Sequence, residues 1–164
     1  MSSLPPAVAW RDDRLWLLDQ TRLPQVVVVD CMESVDEAIS AIQALRVRGA
    51  PAIGIAAAYG LLIKLAAAPD IRAEFAARAA RMLTARPTAV NLSAAVLRMR
   101  ACADTTPDGD LIPRLTATAI AIHDEDRELC RRIGEAGAPL VARYPRVLTH
   151  CNAGALAVSE LGTA

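Results

Sequence analysis

Residues 51–62 read PAIGIAAAYGLL, and the first charge after them is Lys64. A helix through such residues has no polar face to give to water, so other elements must surround it. The spacing predicts that helix over residues 51–67, opened by Pro51 in the first turn, where its missing N–H costs nothing. With two glycines and Tyr59, the 51–62 run is too short to cross a bilayer. Hydrophobic residues make up 54% of the chain and aromatics only 3%. The rest of the core must therefore come from Ala, Leu, Val and Ile, which suits close-packed helices.

What precedes the central run alternates in strand fashion. Residues 8–11 and 14–18, either side of Asp12-Asp13, predict a hairpin. Four valines in a row, Val26 to Val29, predict a third strand over residues 25–31. Ser34 and Glu37 have capping-box spacing: the Ser34 hydroxyl accepts from the third helical amide and Glu37 reaches back to Ser34. The helix they open carries Val35, Ala38, Ile39, Ile42 and Leu45 on one face.

After the central helix, Pro69-Asp70 precede a third helix ending near Ala85. Pro87 precedes a fourth over residues 89–103, with Thr88 as its candidate cap. A loop at 105–109 leads to a long helix over 112–136, closed by Gly137 and Pro139. Past Tyr144-Pro145 the pattern changes. Residues 146–150 predict a strand and residues 152–157 a turn into a helix, the opening of an α/β domain. The expected class is α+β: a small antiparallel sheet followed by a helical bundle (residues 1–145), then the first β-α unit of a C-terminal α/β domain (146–164). A lone parallel strand has nothing to pair with, so the chain is expected to stop inside that second domain.

Lys+Arg and Asp+Glu both number 18, and no basic stripe stands out, so nucleic acid is not an expected partner. No basic segment followed by an apolar run and a cleavage site opens the chain. Cys31, Cys102, Cys130 and Cys151 form no CxxC pair, so reduced thiols in a cytoplasmic protein are expected, without a zinc site.

Three segments are candidates for chemistry. Residues 48–54, Arg48-Gly49-Ala50-Pro51-Ala52-Ile53-Gly54, place small residues and an arginine at a helix start, where backbone amides and the helix dipole favour an anion. The plain alternative is a turn with a surface arginine. Residues 86–92 repeat the arrangement with Arg86, and the alternative is a capped turn. Residues 149–155 contain Cys151 between a predicted strand and a predicted helix, the edge at which open α/β sheets bind ligands. A cysteine at a helix N-terminus tends toward a lowered pKa; the alternative is a structural cysteine. His150, its neighbour in a strand, faces the other way. His123, among Asp124, Glu125 and Asp126, is expected on a solvated acidic face. Cys31, Cys102 and Cys130 are expected to pack as small apolar residues, and Trp10 and Trp16 to cover the sheet.

In this order and at these separations, residues 48–54, Tyr59-Gly60, 86–92, Ile133-Gly134 and 149–157 resemble the methylthioribose-1-phosphate isomerases. That family shares a superfamily with regulatory subunits of the translation-initiation nucleotide-exchange factor. The opening, with Leu17-Leu18-Asp19-Gln20-Thr21, is similar to the isomerase branch. The resemblance implies an intramolecular oxidoreductase, an aldose–ketose isomerase of methionine salvage that uses no metal or organic cofactor. It implies a small sugar phosphate as substrate, a homodimer for the full-length protein, no membrane, and a Rossmann-like second domain holding a catalytic aspartate beyond Ala164. It implies substrate contacts at Arg48, Gly49, Ala50 and Arg86, and a catalytic role for Cys151. Family members commonly carry aromatics where Ser93 and Ala94 stand here, which bears on pocket shape. Two alternatives stay open: an isomerase of another pentose phosphate, such as ribose 1,5-bisphosphate or 5-deoxyribose 1-phosphate, and a non-catalytic regulatory subunit.

Overall fold

A computed structural model describes residues 4–144 and 146–163. The hairpin forms as expected: β1 (Val8–Arg11) and β2 (Arg14–Leu18) pair antiparallel with Ala9 opposite Trp16. Asp12 and Asp13 both take positive φ, 51° and 56°, the two-residue turn whose twist matches a hairpin. β3 (Val29–Met32) pairs with β2 to give the order β1-β2-β3. It starts later than predicted because β2 ends at Leu18, opposite Val29. Beyond that point Val26 and Val27 have no strand to face and lie exposed.

The helix α1 (Val35–Gln43) is capped by Ser34, whose hydroxyl accepts from Glu37 N at 3.2 Å. Glu37 completes the motif one residue earlier than expected: its carboxylate accepts from Glu33 N at 2.8 Å. Leu45 falls outside the helix, at φ 59°.

At the centre lies α2 (Ala50–Gly60), with every residue from Ala52 to Gly60 buried. It packs on α4, α1 and α5, as its uniform apolarity requires. The apolar stretch in fact runs 18 residues, 50–67, with mean hydropathy 1.7; that length fits a bilayer, but 72% of it is buried inside the fold. The helix stops at Gly60 rather than Ala67. Lys64 turns left-handed, and the buried Arg78 guanidinium donates to Ile63 O (2.6 Å) and Leu61 O (3.3 Å). An internal arginine thus satisfies the carbonyls at that end.

Helix α3 (Ile71–Ala85) is capped by Asp70, and α4 spans Val90–Thr105. The N-cap of α4 is Ala89, without a side-chain bond, so the expected Thr88 cap is absent. Helix α5 (Leu111–Val141) runs straight past Gly137 and Pro139. Its last turns are exposed, so water can satisfy the carbonyl that the proline leaves unpaired.

The sheet followed by a helical bundle stands as the fold class. The expected terminal β-α unit does not form: among the described residues, 146–153 make no strand and 152–163 no helix. An unpaired parallel strand has no ladder to stabilise it. Pro145, at the expected domain boundary, lies outside the described residues.

Candidate functional site

Gly49 caps α2 at φ 92°, a conformation that side chains disfavour. Ala50 and Pro51 form the first turn. Pro51 has no amide hydrogen, and Ala52 N donates to Ala157 O at 3.0 Å. The amides of Gly49 and Ala50 are therefore the ones open to a ligand at this positive helix end. The glycine does allow close approach, as the sequence suggests, but the group that approaches is the chain's own backbone. A Cβ on Gly49 would stand 2.3 Å from Ala157 Cα. Arg48, just before it, is exposed, with no ion pair among the described residues.

The second segment meets the first through Gly54. A Cβ there would come 2.8 Å from Asn91 O, so only glycine lets the start of α4 lie against α2. Two helix N-termini, each preceded by an arginine, thus share one edge of the bundle. Arg86 is the C-cap of α3; its carbonyl accepts from Ala89 N at 2.9 Å, and its half-buried side chain has no partner among the described residues. Between the helices a cleft of about 190 Å³ is lined by Pro51, Gly54, Asn91, Ala94, Arg98 and Asp126. Arg48, Arg86 and Cys151 are not among its lining residues.

Cys151 is exposed at φ 65° in an irregular loop. No helix begins behind it, so the expected helix-dipole environment is absent, and so is the strand geometry invoked for His150. The segment that follows is held firmly. Residues 153–163 close a small loop through a Gly154–Gly162 bridge and Thr163 N to Ala153 O (2.9 Å). Gln20 Nε2 donates to Leu156 O (2.7 Å), and Ser159 N to Asp126 Oδ2 (2.8 Å). Arg127 pairs with Glu160 at 3.0 Å, and Ala157 and Val158 bury themselves with Cys130. Sequence reasoning missed Gln20 and Asp126 as anchors; the signal available was the Asp19-Gln20-Thr21 run, polar residues directly after a buried strand.

His123 departs from expectation. It is 3% exposed, and its Nδ1 shares a hydrogen bond of 3.1 Å with the Tyr59 hydroxyl. Trp10 stacks on Tyr59, 5.0 Å between centroids, rather than merely covering the sheet. Burial pushes the His123 pKa down to about 4, with Arg127 adding to the shift, and pushes Tyr59 up to about 12. Among the remaining cysteines, Cys130 is buried, and burial raises its pKa. Cys102 packs against the main core as expected, and its thiol also accepts from Thr118 Oγ1 at 3.2 Å.

A model of the Initiation factor 2 subunit family matches residues 46–163. A methylthioribose-1-phosphate isomerase of Alkalilimnicola ehrlichii is 49% identical over 96% of this chain and 47% of its own length. A 5-deoxyribose 1-phosphate isomerase of Moorella thermoacetica is 46% identical over 96% of this chain and 47% of its own. The crystal structure of a 5-methylthioribose 1-phosphate isomerase from Pyrococcus horikoshii superposes with a TM-score of 0.89 at 33% identity, covering 98% of this chain and 47% of that one. The chain thus spans about half the length of the curated relatives it matches.

Proposed function

Because the chain belongs to the Initiation factor 2 subunit family, we propose that its residues form the phosphate-binding side of an S-methyl-5-thioribose-1-phosphate isomerase site. The observation that carries this reading is the meeting of three segments at one edge: the Arg48-led start of α2, the Arg86-led start of α4, and the loop after Cys151, seated on Gly49. In this reading Arg48, Arg86 and the amides of Gly49 and Ala50 hold the phosphate, since guanidinium forks and helix-start amides both suit a phosphoryl oxygen.

A phosphate on the anomeric carbon blocks spontaneous ring opening. An acid must protonate the ring oxygen, and a hydrogen must then pass from C2 to C1 while the C2 hydroxyl becomes a carbonyl. Cys151 is the proposed proton donor or transition-state stabiliser. Its carboxylate partner is proposed to belong to the second α/β domain, for which residue 145 marks the boundary. The whole protein is proposed to act as a cytoplasmic homodimer on the free sugar phosphate, without metal or organic cofactor.

Turnover of methylthioribose 1-phosphate by the protein carrying these residues tests the reading. Arg48→Ala and Arg86→Ala should each raise KM about tenfold or more, the loss of a charge-assisted bond. Cys151→Ser should lower kcat by about 10²–10⁴-fold, the usual contribution of one acid–base group. Unchanged kinetics in all three would sink it. The Moorella relative favours a second reading, with 5-deoxyribose 1-phosphate as substrate. The family's description favours a third, a regulatory subunit of an initiation factor. Comparing kcat/KM for the two sugars separates the isomerases, and turnover of neither would leave the regulatory subunit.

A further inference from the structure

We infer that Gln20 is a positioning residue that latches the loop following Cys151 to the turn that carries Arg48. Its importance to a site rests on the reading of Cys151 and Arg48 given above; the latch itself rests on contacts alone.

Gln20 is 7% exposed and holds two segments distant in sequence. Its backbone N donates to Arg46 O at 2.9 Å, two residues before Arg48. Its side-chain Nε2 donates to Leu156 O at 2.7 Å, five residues after Cys151. The next carbonyl, Ala157 O, accepts from Ala52 N in the first turn of α2, and Ala157 fills the space above Gly49. Gln20 is thus the side chain that ties residues 153–163 to the segment before α2, alongside the Ala52–Ala157, Ser159–Asp126 and Arg127–Glu160 contacts that hold them to α2 and α5.

Gln20 is itself fixed by its neighbours. Asp19 is 8% exposed, and its Oδ1 accepts from Thr21 N (3.0 Å) and Thr21 Oγ1 (2.6 Å). Its Oδ2 lies 3.5 Å from Arg46 Nε, and the Arg46 guanidinium also pairs with Asp30 on β3. The turn after β2 is thus anchored to the sheet and to the segment before α2. A buried amide with a single long-range donor bond is the arrangement expected of a latch, because losing the donor leaves the Leu156 carbonyl unpaired.

Glutamate has the shape of glutamine but lacks the donor. In Gln20→Glu a carboxylate oxygen would face the Leu156 carbonyl oxygen, acceptor against acceptor. Protonated, the same group regains an O–H that can donate. The latch should therefore become pH-dependent in this variant and in no other.

Amide hydrogen exchange, expressed as protection factors to remove the intrinsic effect of pH, is the test. The amides of Ala52 and Ser159 report docking directly, and that of Met99, deep in α4, reports the core. At neutral pH, Gln20→Ala and Gln20→Glu should each lower protection at Ala52 and Ser159 at least tenfold and leave Met99 unchanged. Between pH 7 and 5, Gln20→Glu should regain protection while Gln20→Ala does not. Equal protection at Ala52 in all three proteins overturns the latch. So does joint loss at Ala52 and Met99 in both variants, which would make Gln20 an ordinary core residue. The Arg48 and Cys151 kinetics judge the site reading separately: if those variants retain full turnover while exchange changes as expected, the latch stands and the reading falls.

Discussion

A methyl group on Gly49 has nowhere to go. It would sit 2.3 Å from Ala157 Cα and 2.5 Å from Ala157 O, on a backbone at φ 92°. Gly49→Ala should therefore eject residues 153–163 and cost about 1–3 kcal/mol, the usual range for a non-glycine residue held in such a conformation. Urea unfolding gives the magnitude, and loss of exchange protection at Ser159 gives the cause. Gly137 is the opposite case: nothing lies within 4 Å of a Cβ built there, and it sits inside an exposed helix. Gly137→Ala should stabilise by about 0.5–1 kcal/mol. The sequence marks Gly49 as part of a small-residue helix start and Gly137, with Pro139, as a helix end, whereas α5 runs on to Val141. The need for close approach at residue 49 is readable from the small residues around it, but the identity of the approaching group is not. Ala157 lies 108 positions away, and nothing local encodes that contact.

At the scale of elements, the hairpin turn offers a direct test of turn chemistry. Asp12 and Asp13 both hold positive φ, which aspartate tolerates and glycine prefers. Asp13→Gly should raise stability by about 1 kcal/mol with the strand register unchanged; a thermal midpoint that does not rise would mean that Asp13 makes contacts worth as much as the relieved strain. The hairpin was legible because its signal is local: two alternating runs and a two-residue turn. The Ser34 cap and the Asp70 break were legible for the same reason. Errors arose where a distant partner decides the outcome. Arg78, from α3, closes α2 early, and β2's end sets where β3 can begin. The strand and helix expected over 146–164 need neighbours to pair and pack with. Among the described residues none pairs with Val147 and Leu148, which are 63% and 97% exposed, while residues 153–163 settle onto α2 and α5.

The whole molecule is tied together where β1, α2 and α5 meet, at Trp10, Tyr59 and His123. Read along α5 alone, His123 shares its neighbourhood with three acids and looks solvated. In the fold, the helix turns that position inward against Tyr59, which the 3.6-residue period permits and composition hides. Burial holds His123 neutral, with a pKa of about 4 against 6.5 when unfolded. Arg127 works in the same direction, while Asp124, Asp126 and Glu160 oppose it without overcoming it. The sign follows from proton counting. Well above pH 6.5 His123 is neutral in both states and adds no pH dependence to stability. As pH falls from 6.5 toward 4, the unfolded chain takes up a proton that the native state refuses, and stability drops by up to about 3 kcal/mol. Below about pH 4 the native state binds it too, and this loss stops growing. His123→Asn keeps an acceptor near the Tyr59 hydroxyl and cannot titrate. Its stability at neutral pH should be about 1–2 kcal/mol lower, from the smaller side chain in a packed site. Between pH 6.5 and 4 its stability should fall less steeply than that of the wild-type protein, by the share that His123 contributes. Urea unfolding of both proteins at half-unit pH steps measures the difference. Parallel curves would mean that His123 already binds its proton in the native state, and that Tyr59 and Trp10 surround a charged ring.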